Sequence, residues 1–219
     1  MRKLIRTGLT AAVVTGTALS LVATPASAAT WTVQNGGAKT FQKASTNLIA
    51  EDIETGAVVT CNVVNGGATL DNGVSDNNPL ATVDSIAFHH TDNGANGPCN
   101  GPGGLLVEIQ PGNLPWGLTA VSQTGGVTTG FLSGVKAHIV GSDGCEADIT
   151  GPGGAAGTVD GNYDNADGTL NLLSGTSNNL EVTADNGLCD PLLINIGDHI
   201  RLDGEVVVNG SPKPIITMS

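Results

Sequence analysis

Beyond residue 29 the chain alternates short apolar, β-branched runs with clusters of glycine, asparagine and proline. Thr30, Trp31, Thr32 and Val33 alternate polar with apolar, the period-two signature of a half-buried strand. Similar runs fall at 56–64, 82–88, 105–110 and 116–122. The run 127–140 is long enough for one bent strand, or for two strands meeting at Gly134. Runs at 147–150, 158–163, 169–173, 180–184, 193–196, 199–208 and 214–217 complete the series. Strands recurring about every ten residues, with turn residues between them, predict an all-β fold. The expected form is one antiparallel β-sandwich domain, Greek-key or jelly-roll-like, of roughly ten to thirteen strands over 29–219.

Only 41–54 offers a helical rival, because Phe41, Ala44, Leu48, Ile49 and Ile53 fit a 3.6-residue period. Ser45, Thr46 and Asn47 are poor in a helix interior, where short polar side chains compete for the backbone. The charges also oppose the helix dipole, with Lys39 and Lys43 first and Glu51, Asp52 and Glu54 last. The preferred reading is a strand over 48–53 that turns at Thr55-Gly56 into the strand holding Cys61. Gly-Pro-Gly-Gly occurs at 101–104 and again at 151–154, and reads as two turns rather than a repeated module. Two Gly/Asn-rich loops, 71–79 and 91–104, are the expected variable face.

The N-terminus changes the setting of this fold. Arg2, Lys3 and Arg6 precede an uncharged stretch over 9–23 and then Thr24-Pro25-Ala26-Ser27-Ala28. A basic start, a short apolar core and an A-x-A site read as a Sec-type signal peptide over 1–28, leaving a secreted, extracellular product with no membrane anchor. Its removal takes three of the eight basic residues and none of the twenty acidic ones, leaving a net charge of −15. Lys39, Lys43, Lys136, Arg201 and Lys213 are too few and scattered to make a nucleic-acid footprint. Export also permits disulfides among Cys61, Cys99, Cys145 and Cys189, whose wide spacing matches neither a redox pair nor a zinc site. Of the three connectivities, Cys61–Cys99 and Cys145–Cys189 are favoured because each brackets a local, loop-rich stretch.

Candidate chemistry is sparse. Asp160, Asn162, Asp164 and Asp167 are the densest set of oxygen ligands and open like a calcium loop. The match fails at the sixth position, Asn165, and the twelfth, Asn171, so a hairpin turning through 165–168 is the stronger reading. No other cofactor is indicated. His89 and His90 would point to opposite faces of a strand and cannot share a metal; they read as surface histidines beside a loop. No G-x-S-x-G, H-E-x-x-H or usable S-x-x-K site is present, which lowers the expectation of an enzyme. Glu51, Asp52 and Glu54 could serve glycoside hydrolysis, but six aromatics in the chain leave few sugar platforms. The triplet reads better as a solvated turn. Trp116, at the head of a strand, is expected to cap the core.

The chain resembles a family of small, largely uncharacterised secreted proteins of actinobacteria. The residues concerned are Ala29-Thr30-Trp31-Thr32-Val33, the stretch 114–118 around Trp116, Gly126-Val127-Thr128-Thr129-Gly130, the stretch 144–151 after Cys145, and the ending from Gly187 through Cys189 to Asp198. The resemblance implies similarly placed cysteines, in keeping with the favoured pairing, and implies no activity or catalytic residue. A non-enzymatic extracellular protein that binds an unidentified ligand through loop surfaces is therefore expected. The alternatives are an extracellular hydrolase with a convergent site and a matrix component that assembles through sheet edges.

Overall fold

Alternate burial builds this fold strand by strand. Gly157–Asp164 shows it most plainly, with every second residue buried from Gly157 through Tyr163 and the intervening polar residues half-exposed. The computed structural model describes residues 30–76, 79–173 and 178–219. The expected signal peptide, 1–28, lies outside them. Seventeen strands occur among the described residues: β1 Trp31–Gln34, β2 Gly37–Lys43, β3 Leu48–Asp52, β4 Val58–Cys61, β5 Val63–Leu70, β6 Gly73–Ser75, β7 Ala81–His89, β8 Cys99–Asn100, β9 Leu106–Gly112, β10 Trp116–Thr124, β11 Val127–Gly141, β12 Glu146–Thr150, β13 Gly157–Asp164, β14 Thr169–Leu172, β15 Glu181–Asp185, β16 Ile200–Val208 and β17 Ile215–Met218. The only helical pieces among them are single 3-10 turns at Thr91–Asn93, Pro102–Gly104 and Pro152–Gly154.

The fold is the expected one-domain, all-antiparallel, sandwich-like β structure, with more strands than the ten to thirteen expected because several runs divide, and its layers are joined at their edges. One ring of ladders runs β10–β7–β5–β2–β16–β14–β13–β11 and returns to β10. A second runs β11–β9–β8–β4–β3–β16, continues through the Glu181–His199 bridge to β15, and returns by β12 to β11. The long strands β11 and β16 belong to both rings, so the two stack end to end as one elongated barrel. Here the end that carries Val127 is called upper. Gly134 lies where β11 passes from ring to ring, and its φ of +87° supplies the bend that a residue with a Cβ would resist.

Inward positions are apolar in both rings and merge into one core that includes Phe41, Val64, Val83, Trp116, Leu132, Ile149 and Val182. A second cluster closes the upper end, where the three-stranded sheet β17-β1-β6 brings Trp31, Val33 and Ile216 onto Leu80 and Tyr163. Cys61–Cys99 links β4 to β8 within the wall of the lower ring, and Cys145–Cys189 ties the approach to β12 to the segment after β15. Both pairings are those expected.

Several elements differ from the sequence reading. The run 56–64 divides at Asn62, whose side chain exchanges hydrogen bonds with the Thr91 backbone and hydroxyl. Residues 193–196 form a turn, with the Leu193 and Ile194 amides donating to the Asp190 carbonyl. The expected loops 71–79, of which 77–78 lie outside the described residues, and 91–104 contain β6 and β8 and adjoin opposite ends of β7, about 25 Å apart at 3.3 Å per residue. They do not share one face.

Candidate functional site

The first candidate is the barrel interior. Strand alternation sends Phe41, Val64, Val83, Trp116, Leu132 and Val159 inward from six strands, and they surround a cavity of about 140 Å³. Leucine, valine, isoleucine and alanine supply most of the remaining wall. The polar groups of the two polar-tipped aromatics are already satisfied. Trp116 donates through Nε1 to the Gly112 carbonyl (2.9 Å), and the Tyr163 hydroxyl donates to the Pro214 carbonyl (2.9 Å). Burial, with smaller contributions from Asp167 and Asp164, pushes the Tyr163 phenol up to about 12. A cavity of this size with apolar walls stays dry and accepts a small apolar molecule.

Below it, a second cavity of about 110 Å³ shares the layer Ala50, Ile109, Ile139, Ile149 and Ile200 with the first. Its cover is the segment between β15 and β16, through Leu193 and Ile194. Outward from this cover, Leu188, Leu192 and Ile196 are exposed.

Three carboxylates meet at this lower end. Asp52 follows Leu48 and Ala50 on the inner face of β3 and is only 5 % exposed. Its Oδ1 accepts from the Glu54 and Thr55 amides (3.1 and 2.9 Å), and its buried Oδ2 has no hydrogen-bond partner. Glu54 accepts from the His199 amide (2.7 Å) and pairs with His199 Nδ1 (2.8 Å). Asp198 is 8 % exposed, and its Oδ2 accepts from the Asn195 amide and side chain (2.7 and 2.9 Å). One oxygen from each of Asp52, Glu54 and Asp198 lies within 4.8 Å of the others, the one such group of acidic, histidine or cysteine ligands among the described residues. Burial, partly offset by hydrogen bonds from Thr55, raises the Asp52 carboxyl above its ordinary range, and both the charge of Asp198 and the close approach of its carboxyl, within hydrogen-bonding reach when one is protonated, add to the rise. The hydrogen bond between Glu54 and His199 lowers the first and raises the second.

A third arrangement lies on the outer wall. His138 on β11 bonds through Nδ1 to Asp148 on β12 (2.7 Å), and its Nε2 stands 3.8 Å from Glu146. The three are partly exposed, and His138 and Asp148 border an open groove of about 880 Å³ with Lys136, Thr150 and Glu181. Both imidazole nitrogens face carboxylates, whereas a catalytic triad turns one of them to a nucleophile.

The acidic run singled out in the sequence is placed differently. Asp160, Asn162 and Asp164 occupy successive outward positions of β13, about 7 Å apart along the strand. Asn162 accepts from Asn171, Asp164 from the Ala166 amide and Asp167 from the Thr169 amide, which are the bonds of the β13–β14 hairpin. Trp116 caps the core, at 5 % exposure. His90 is buried rather than superficial: its ring packs under the 91–100 loop and meets the Asn100 amide at 3.2 Å. Sequence reasoning also missed Asp52, read as part of a solvated turn. The available signal was its parity with Leu48 and Ala50, which places it on the inner face of β3.

No protein-family profile matches the chain, and neither a curated protein nor a solved structure matches it.

Proposed function

We propose that this is an exported, extracellular, non-enzymatic binding protein that holds a small apolar molecule inside its barrel. The observation that carries this reading is the cavity of about 140 Å³ with its apolar wall. Left empty, a cavity of that volume costs about 3 kcal/mol relative to a filled core. A ligand the size of a monocyclic hydrocarbon recovers part of that cost. The barrel keeps apolar residues inside and carries Asp84, Glu108, Lys136, Asp148 and Glu205 on its outer wall, the reverse of a lipid-facing barrel. The two disulfides and the resemblance to secreted actinobacterial proteins fit an oxidising, extracellular setting. The free strands of the β17-β1-β6 sheet are short, three residues in β6 and four in β17, which weighs against assembly through them.

The test is thermal unfolding with and without saturating benzene, for the native chain and for Ala137→Leu, whose larger side chain enters the cavity. Benzene is expected to raise the native Tm and to have a smaller effect on the variant. An unchanged native Tm sinks the proposal.

His138 between Asp148 and Glu146 favours a second reading, a hydrolase working in the open groove. Turnover of ester, glycoside or phosphodiester substrates that His138→Ala abolishes would establish it. Activity unaffected by the substitution removes His138 from consideration.

A further inference from the structure

We propose that Asp52, Glu54 and Asp198 form a binding site for a calcium ion at the lower end of the barrel. An acidic cluster alone is ordinary at a protein surface, but this one contains a buried carboxylate oxygen, Asp52 Oδ2, that no donor satisfies. It belongs to a residue 5 % exposed, one of whose carboxylate oxygens shares the 4.8 Å cluster with oxygens of Glu54 and Asp198. Two buried carboxylates side by side require something positive between them. The candidates are a proton shared by Asp52 and Asp198, and a cation.

Geometry and ligand type point to the cation. Three oxygens that each touch one ion lie no farther apart than twice the metal–oxygen distance. The three oxygens lie within 4.8 Å of one another, which meets that condition for calcium, whose bonds run about 2.3–2.6 Å. All three ligands are hard oxygens, which excludes a preference for zinc or copper. Oδ1 of Asp52 and Oδ2 of Asp198 are each held by two N–H donors, so both side chains are oriented before an ion arrives. Glu54 is the exposed member, its position set by His199, and water completes the coordination on that side.

The ion would join parts of the chain far apart in sequence. Asp52 ends β3 and Glu54 lies in the turn that follows it, and Asp198 ends the segment that covers the second cavity. Calcium therefore clamps the lower cover onto the barrel wall. This inference stands apart from the apolar-ligand reading, since calcium binding is measured with no apolar molecule present.

The purified protein is stripped with EDTA and titrated with CaCl2 by calorimetry, and its thermal unfolding is followed in parallel. The expected result is a one-site isotherm, with Tm raised by about 5–10 °C at 100 times Kd. MgCl2 is expected to bind more weakly. Asp52→Asn and Glu54→Gln each weaken calcium binding roughly tenfold or more, because ligand charge sets affinity in such sites. Asp164→Asn, in the β13–β14 hairpin, leaves it unchanged. Glu54 is exposed, so Glu54→Gln remains informative if an asparagine at 52 prevents folding. No isotherm and no Tm shift up to about 10 mM calcium, ten times the weakest extracellular modules, overturns the proposal. Binding that survives both ligand substitutions, or that only Asp164→Asn removes, also overturns it. So does an Asp52→Asn protein that gains stability while the native chain ignores calcium, the behaviour of a shared proton.

Discussion

The two ends of the barrel are closed by different chemistry. At the upper end, β1, β6 and β17 lay Trp31, Val33 and Ile216 over the ring, each 2 % exposed or less. Burial there is nearly all apolar, and the one phenol present is paired to a carbonyl. At the lower end no sheet among the described residues covers the opening. Turns do, held by the Cys145–Cys189 bond and by the hydrogen bonds of Asp52 and Asp198. An apolar lid needs only complementary shape, whereas a lid of turns exposes backbone and must be fastened by specific bonds. The fastened end is therefore the one that reductants act on and where the proposed calcium ion would bind.

Five variants break or sharpen this contrast. The largest effect is expected from Trp31→Ala, which removes the centre of the upper lid at a cost of about 3–5 kcal/mol. Chemical denaturation measures it, and a loss below 1 kcal/mol would show that the upper lid is not held by burial. At the lower end, replacing Cys145 and Cys189 together by alanine is expected to cost about 4 kcal/mol from loop entropy, given their separation of 44 residues. EDTA should change this second cost and leave the first alone, because additivity holds between distant sites and fails between neighbours.

Smaller effects separate the polar groups. With calcium absent, Asp52→Asn is expected to stabilise the protein by about 1–2 kcal/mol, since it removes a buried, poorly compensated charge. Asp164→Asn on the outer wall should change stability by less than about 0.5 kcal/mol. Equal effects would erase the distinction between the inner and outer acids. At the upper end, Tyr163→Phe loses the bond to Pro214, worth about 1 kcal/mol at neutral pH. The folded phenol titrates at about 12 against an ordinary 10, so folding favours its protonated form. That contribution is complete below pH 10 and is lost as pH rises from 10 to 12. Tyr163 is the sole tyrosine, so tyrosinate absorbance follows it directly. A midpoint near 10 would mean an open upper end.

Much of the wall was legible along the chain. Alternation in 158–163 and 199–208 and the Asp-Gly turn at 167–168 led straight to β13, β16 and the hairpin into β14. The strand over 48–53 was also recovered, because its charge order opposed a helix. β2 and β5 were harder. In β5, Asn65-Gly66-Gly67 carries every mark of a turn, yet it continues as strand because Phe41 packs over Gly66, where a Cβ would lie 2.5 Å from the ring. That contact exists only after β2 and β5 pair.

The two acidic groups divide along the same line. Asp160, Asn162, Asp164 and Asp167 are neighbours in sequence, and strand geometry spreads the first three along one face. Asp52 and Asp198 stand far apart in sequence, and the β3–β16 pairing brings their strand ends together. The sequence alone determined an acidic, antiparallel β chain with two local disulfides, because period two, turn residues and cysteine spacing act over a few residues. Closure of the rings, the cavity between them and the meeting of three carboxylates were decided only by tertiary structure. They depend on which strands pair across the whole chain, and no local pattern encodes that.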